Sequence, residues 1–256
     1  MIFPPLLQKG DAVLLVSPSS PLTEKQPIED VARAVEDMGY RVRIGDSCRE
    51  KTACGYAAAS PETRARDINE GFADPDIKGI WCTRGGSTAA RMLPLLEYEL
   101  IRANPKVLLG FSDVTSLHMA LQQRCGLVTY HGPTANRLLQ SAPDDFTWRS
   151  LAAALHMGDC LRVQNPPEEP ILSLRPGIAC GVLTGGNLSL VTASLGTPWE
   201  IDTTGKVLYL EDVGEAVYAL ERMLNQLRWA GILDRAAAVV LGPFTSCRNA
   251  YRENYG

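Results

Sequence analysis

Lys106-Val107-Leu108-Leu109-Gly110-Phe111-Ser112-Asp113-Val114-Thr115 runs from an apolar strand into a serine, and a helical pattern begins at once over about 114–124. A serine at such a turn points its hydroxyl away from the sheet. The first amides of the following helix lack intrahelical partners and face the same space, so they and the helix dipole can stabilise an oxyanion. This is the logic of a nucleophile elbow, although G-x-S-x-G is incomplete: Gly110 stands two before Ser112, but Val114 stands two after. Ser112 or Asp113 capping the helix would explain the same local pattern, because both residue types accept bonds from helix amides.

The segments on either side set this turn in a fold. Residues 12–16 (AVLLV) read as a buried strand, and 23–38 as a helix with Thr23 as N-cap and apolar Ile28, Val31, Ala32 and Val35. A strand follows over 40–44, then a helix over 61–72 with Ser60 as cap and Pro61 in its first position. Residues 77–83 read as a third strand, Gly85-Gly86 as a turn, and the chain from about Thr88 as a helix. Alternation of strand and helix predicts an α/β fold, a mostly parallel sheet flanked by helices. Reactive groups in such sheets gather at the carboxyl ends of the strands, where Gly85-Gly86 and Ser112 fall. Three prolines in Asn165-Pro166-Pro167-Glu168-Glu169-Pro170 mark a linker. Beyond it, strands over 178–183, 207–210 and 237–241, with helices over 188–195 and 217–230, predict a second, smaller α/β domain. The expected division is 1–160 with the nucleophile, a linker over 161–176, and a C-terminal domain over 177–256.

Hydrophobic residues are 45% of the 256 and charged residues 21%, enough apolar material for a sizeable core. A net charge of −4 without a basic run argues against nucleic acid or an anionic membrane as partner. No apolar stretch reaches membrane-spanning length, and the start lacks a secretory signal, so cytoplasmic residence is the expectation. The seven cysteines are scattered without metal or CxxC spacing, and read as reduced thiols.

Other groups could carry chemistry. Thr83-Arg84-Gly85-Gly86-Ser87-Thr88 places a glycine pair after a strand, where backbone amides can approach a ligand; a plain turn is the alternative. Glu211-Asp212 follows a strand, where a carboxylate can orient a histidine or stand solvated. Glu215 is a nearby second carboxylate. Of the three histidines, His118 falls on the helix after Ser112 and reads as structural, His131 could face a cleft, and His156 sits near a helix end. None has metal-ligand spacing, so neither metal nor cofactor is expected.

Taken together, these segments resemble the LD-carboxypeptidase family, the muramoyl-tetrapeptide carboxypeptidases and their microcin-immunity relatives. The matching pieces are Gly10-Asp11, Ser17-Pro18-Ser19, Thr83-Arg84-Gly85-Gly86, Pro105-Lys106, Gly110 to Thr115, His131-Gly132-Pro133, Gly185-Gly186-Asn187-Leu188 and Leu210-Glu211-Asp212. Arg222-Met223-Leu224 and Gln226-Leu227 match as well, and the order holds over nearly the whole chain. The resemblance implies a metal-free serine peptidase with a Ser-Glu-His triad on two domains. Ser112 corresponds to the nucleophile, Glu211 to the acid, and the amides of Gly86 and Asp113 to the oxyanion hole. Arg84, Gly85, His131 and Asn187 become substrate-binding candidates, Arg84 for a terminal carboxylate. The implied substrate is a murein tetrapeptide, losing its terminal D-alanine by hydrolysis of an L-to-D amide bond in cell-wall recycling, and members are commonly homodimers. Two departures stand out. Ser87-Thr88 replaces the usual aromatic and glycine, and the family histidine belongs beyond a strand like 237–241, whereas no histidine follows His156. The expectation is that the segment carrying it is missing from this chain. The alternatives are a microcin-immunity-type peptidase, a catalytically inactive peptide-binding homologue, or a hydrolase with His131 as improvised base.

Overall fold

A computed structural model describes residues 1–139, 145–156, 165 and 169–248. Its first part runs β1 (Ala12–Val16), α1 (Ile28–Asp37), β2 (Arg41–Ile44), α2 (Pro61–Ala73), β3 (Ile77–Cys82), α3 (Tyr98–Ala103), β4 (Val107–Gly110), α4 (Thr115–Cys125), β5 (Tyr130–His131) and α5 (Asp145–His156). The five strands form one parallel sheet in the order β2-β1-β3-β4-β5. The second part runs β6 (Leu183–Asn187), α6 (Leu188–Ala193), β7 (Val207–Val213), α7 (Val217–Trp229), α8 (Ile232–Arg235) and β8 (Ala238–Thr245), with a parallel sheet in the order β6-β7-β8. The fold is thus the expected α/β class with a smaller second sheet. Among the described residues no helix is long and apolar enough to cross a membrane.

Alternation along β1 explains the two cores of the larger sheet. Ala12, Leu14 and Val16 pack on one face with α2 and α4, while Val13 and Leu15 pack on the other with α1 and α5. The third core lies on the small sheet, around Leu208, Leu210, Leu188, Val191 and Leu227, and includes Met119 from α4. Helix α4 therefore serves both sheets, which is why every residue from Thr115 to Leu121 is buried. Gln122 on the same helix joins them by hydrogen bonds to the Leu183 carbonyl (2.8 Å) and from Thr184 Oγ1 (2.6 Å).

Several boundaries differ from the sequence expectation. The first helix starts at Ile28, not Thr23, because Pro27 takes the N-cap position and disfavours helical backbone in the residue before it. After Thr88 the chain forms a 3₁₀ turn over Ala89–Leu95, with Pro94 inside it, and regular helix resumes only at Tyr98. The strand expected over 178–183 is displaced to Leu183–Asn187; Ile178 lies fully exposed, so hydrophobicity misplaced it. Strand β7 extends through Glu211 and Asp212 to Val213. Helix α5, given no bounds from sequence, ends at His156, the residue expected near a helix end. Ser60 does cap α2, accepting from the Thr63 amide at 3.1 Å. Of the linker expected over 161–176, residues 161–164 and 166–168 lie outside the described residues.

Lys106, buried at the foot of β4, donates to the carbonyls of Gly71 (2.9 Å) and Asp74 and so closes the C-terminus of α2. Lys106→Met should leave both carbonyls without this donor and lower stability by about 1–3 kcal/mol, read from the midpoint of urea unfolding.

Candidate active site

In the strand order β2-β1-β3-β4-β5 the connections reverse direction between β1 and β3, the place where ligands bind in open α/β sheets. Three loops meet there: Ser17-Pro18-Ser19-Ser20 after β1, Thr83 to Thr88 after β3, and Phe111-Ser112 after β4. Ser112 has φ +63°, the left-handed region that non-glycine residues rarely occupy. A short 3₁₀ turn over Ser112–Val114 follows and leads into α4. No side chain caps this turn or α4, and among the described residues Ser112 Oγ has no hydrogen-bond partner. Local sequence left both nucleophile and cap open, with caps the commoner use of such residues; this geometry removes the cap.

Asp113 is buried and anchors the turn. Its Oδ2 accepts from the Ser19 hydroxyl and from the Ala89 amide (2.8 Å), and the Ser19 Oγ also accepts from the Thr88 amide (3.1 Å). One carboxylate thus joins all three loops. Gly85 lies directly against the serine: a Cβ there would stand 2.9 Å from Ser112 Oγ and 3.6 Å from the Asp113 amide nitrogen. The small volume that glycine leaves open is bounded by the hydroxyl and by an amide at the helix start. Gly86 packs against the hydroxyls of Ser19 and Ser20, and Gly85 accepts from the Ser20 amide at 3.1 Å. Arg84 donates from Nη1 to the Pro21 carbonyl at 2.9 Å, which holds its guanidinium beside the β1 loop.

The small sheet contributes the facing wall. Gly186, with φ +136°, ends β6 so close to α4 that a Cβ would strike Thr115 and approach His131 Nδ1 to 3.3 Å. The next amide, Asn187, donates to Thr115 Oγ1 at 3.0 Å. The Asn187 side chain caps α6 through Leu190 N (3.3 Å) and donates to Asp212 Oδ1 (2.9 Å), so both ends of its amide are engaged. Neighbouring carboxylates on β7 then differ. Asp212 accepts from Asn187, from the Ser189 amide and hydroxyl, and from the Val213 amide. Glu211 is buried, and its Oε1 has no hydrogen-bond partner among the described residues. Burial, with Asp212 beside it, raises the Glu211 carboxyl above its ordinary range, partly offset by Asn187. An unsatisfied buried carboxylate oxygen is costly unless a donor reaches it.

His131 Nε2 stands 3.9 Å from that oxygen, too far for a hydrogen bond. Its ring lies among Phe111, His118 and Tyr209, and burial lowers its pKa to about 4. His118 is enclosed: Nε2 donates to the Gly110 carbonyl at 2.9 Å, and Nδ1 pairs with Thr129 Oγ1 at 2.8 Å. Burial, reinforced by His131, lowers its pKa to about 3. It braces the strand two residues before Ser112. His156 lies elsewhere, bonded to the Leu7 carbonyl (2.7 Å) and Tyr40 (3.2 Å). A cavity of about 410 Å³ opens behind His131 between α4, α5 and β6; neither Ser112 nor Glu211 lines it, so it is separate from the hydroxyl.

The chain matches a family model described as the LD-carboxypeptidase N-terminal domain over residues 13–132, and one described as its C-terminal domain over 180–255. The chain belongs to the LD-carboxypeptidase family. A Bacillus subtilis protein named "Probable murein peptide carboxypeptidase" is 38% identical over 98% of this chain and 77% of its own length. The murein tetrapeptide carboxypeptidase of Pseudomonas aeruginosa is 34% identical, over 92% of this chain and 77% of its own. Among solved structures, the microcin C7 self-immunity protein superposes with TM-score 0.82 at 27% identity, covering 98% of this chain and 85% of that one. Its family and the two murein carboxypeptidase relatives make this chain a carboxypeptidase-type hydrolase.

Of the residues that organise the loops, Ser19 and Thr88 stand in motifs quoted from sequence without this role, and Arg64 was not singled out. A signal for Arg64 did exist. It precedes Ile68 and Phe72 by one and two helical turns, so the 3.6-residue period places it on the buried face of α2.

Acidification checks the histidine environments. Both His118 and His131 titrate lower in the folded chain than in the unfolded one, so the unfolded state binds more protons between about pH 6.5 and pH 3–4. Stability should fall as pH drops through that window. His118→Gln should flatten the slope of unfolding free energy against pH, measured by urea titration at pH 4–7.

Proposed function

We propose that this chain is a serine LD-carboxypeptidase that hydrolyses the L-to-D amide bond of murein tetrapeptides and releases the terminal D-alanine. The observation that carries this is Ser112, strained into the left-handed region with an unengaged hydroxyl at the junction of three loops. The murein-peptide substrate rests on what the relatives are named for. In this proposal Ser112 Oγ attacks the amide carbonyl, and the oxyanion is held by the amides of Gly86 and Asp113. An imidazole, which the family resemblance places beyond β8, takes the hydroxyl proton and gives it to the departing amine. Water then hydrolyses the acyl-enzyme. Glu211 orients that imidazole and stabilises its cation, a role suited to a buried carboxylate with an open oxygen. Arg84, Gly85, His131 and Asn187 frame the substrate, Gly85 by the room it leaves and Asn187 through Asp212. A cytoplasmic setting and homodimeric assembly complete the family reading.

The approach of His131 to Glu211 favours a second reading, in which His131 itself is the proton acceptor. With a pKa of about 4 it would be a weak base near neutral pH, and turnover would be slow. A microcin-like acyl conjugate is the alternative substrate, suggested by likeness to the self-immunity protein.

Ser112→Ala should lower hydrolysis of an L,D-tetrapeptide by about 1,000-fold or more without unfolding the protein; unchanged turnover by mass spectrometry of released D-alanine would remove the nucleophile. In the same assay His131→Ala separates the readings: it abolishes turnover only if His131 is the base. Gly85→Ala should cost about 100-fold, since its methyl would occupy the space beside the hydroxyl and the Asp113 amide.

A further inference from the structure

Arg64 is 1% exposed, and its whole guanidinium lies beneath the loops at the switch point. It donates from Nε to the Ser60 carbonyl (3.3 Å), and from Nη1 to the Pro18 carbonyl (2.7 Å), the Thr88 carbonyl (3.0 Å) and Thr88 Oγ1 (2.9 Å). Pro18 precedes Ser19, and Thr88 precedes Ala89. Those two neighbours are the donors to Asp113, and the Thr88 amide closes the set by donating to Ser19 Oγ. A single cation therefore grips both ends of the clamp that holds the residue after Ser112. Burial lowers the Arg64 pKa, and Asp113 is the foremost of the groups that oppose this and favour its charge. Gly85-Gly86 lies between the gripped segments, two residues before Thr88, with Gly85 bonded to Ser20.

We propose that Arg64 is a positioning residue: it fixes the Pro18 and Thr88 loops and, through the Ser19–Asp113 clamp, sets the Gly85-Gly86 turn against Ser112. The inference rests on the serine-hydrolase reading for its catalytic consequence, and on geometry alone for its structural one. Nη1 engages a carbonyl on each loop while Nε holds the Ser60 carbonyl before α2, a fixed spacing of two nitrogens that the single ammonium of lysine does not reproduce. Oxyanion donors act only when they are already in place, so their displacement lowers turnover more than substrate binding.

The test compares the parent chain with Arg64→Lys, Thr88→Val and Ser112→Ala by L,D-tetrapeptide kinetics and by hydrogen exchange read by mass spectrometry. Arg64→Lys should lower kcat by about 100-fold while KM moves by less than about threefold. It should speed exchange in 17–20 and 84–89 while leaving α1 and β2 as in the parent. Thr88→Val, which removes one acceptor and keeps the cation, should give the same pattern more weakly, and it carries the test if the arginine variant does not fold. Unchanged exchange in both loops, or exchange rising evenly along the chain, would overturn the proposal. If Ser112→Ala hydrolyses as well as the parent, the hydrolase reading fails while the exchange pattern still decides the role of Arg64.

Discussion

Ser112 occupies a backbone conformation that costs a non-glycine residue roughly 1–3 kcal/mol, and the surrounding structure is arranged to hold it there. The strand before it cannot relax, because β4 is buried between β3 and β5 and His118 bonds the Gly110 carbonyl. The helix after it cannot relax either, because α4 is packed between two cores. Asp113 then ties the turn sideways to the loops after β1 and β3. The consequence is an unengaged hydroxyl on a half-buried, rigid mount, with the room beside it set by the missing side chain of Gly85.

The two sheets share the site because they share α4. Gln122 and Met119 bind the helix to the small sheet, and Gly186-Asn187 brings the end of β6 onto Thr115 at its first turn. Of the β7 carboxylates, Glu211 then lies near His131, and Asp212 lies against the start of α6. Of that pair, Asp212 is saturated with donors and fixes local structure, whereas Glu211 keeps an oxygen without a partner among the described residues. Adjacent residues of like charge thus acquire different tasks from hydrogen bonding alone.

Much of this was legible from residue pattern. The five-residue apolar run of β1, Ser60 with Pro61 at the start of α2, and the passage from Leu109 to Thr115 each stated their structure locally, because burial periodicity and capping are short-range. Boundaries failed where a short-range rule competed with a proline or with packing. Pro27 displaced the start of α1, Pro94 turned an expected helix into 3₁₀, and the strand of Gly185-Gly186 carried too little hydrophobicity to be placed.

By itself the sequence determined the alternation of elements, the turn that carries Ser112, and the motifs by which the family can be known. These depend on neighbours within a few residues and on the order of segments. Tertiary structure alone decided that Ser112 is not a cap, that Asp113 reaches Ser19 across 94 positions of sequence, and that Glu211 rather than Asp212 holds an open oxygen. It also decided that a charged Arg64 can lie beneath the site. A partner's identity is a long-range fact: hydrogen bonds and burial at these residues exist only once separate strands have brought their carboxyl ends together.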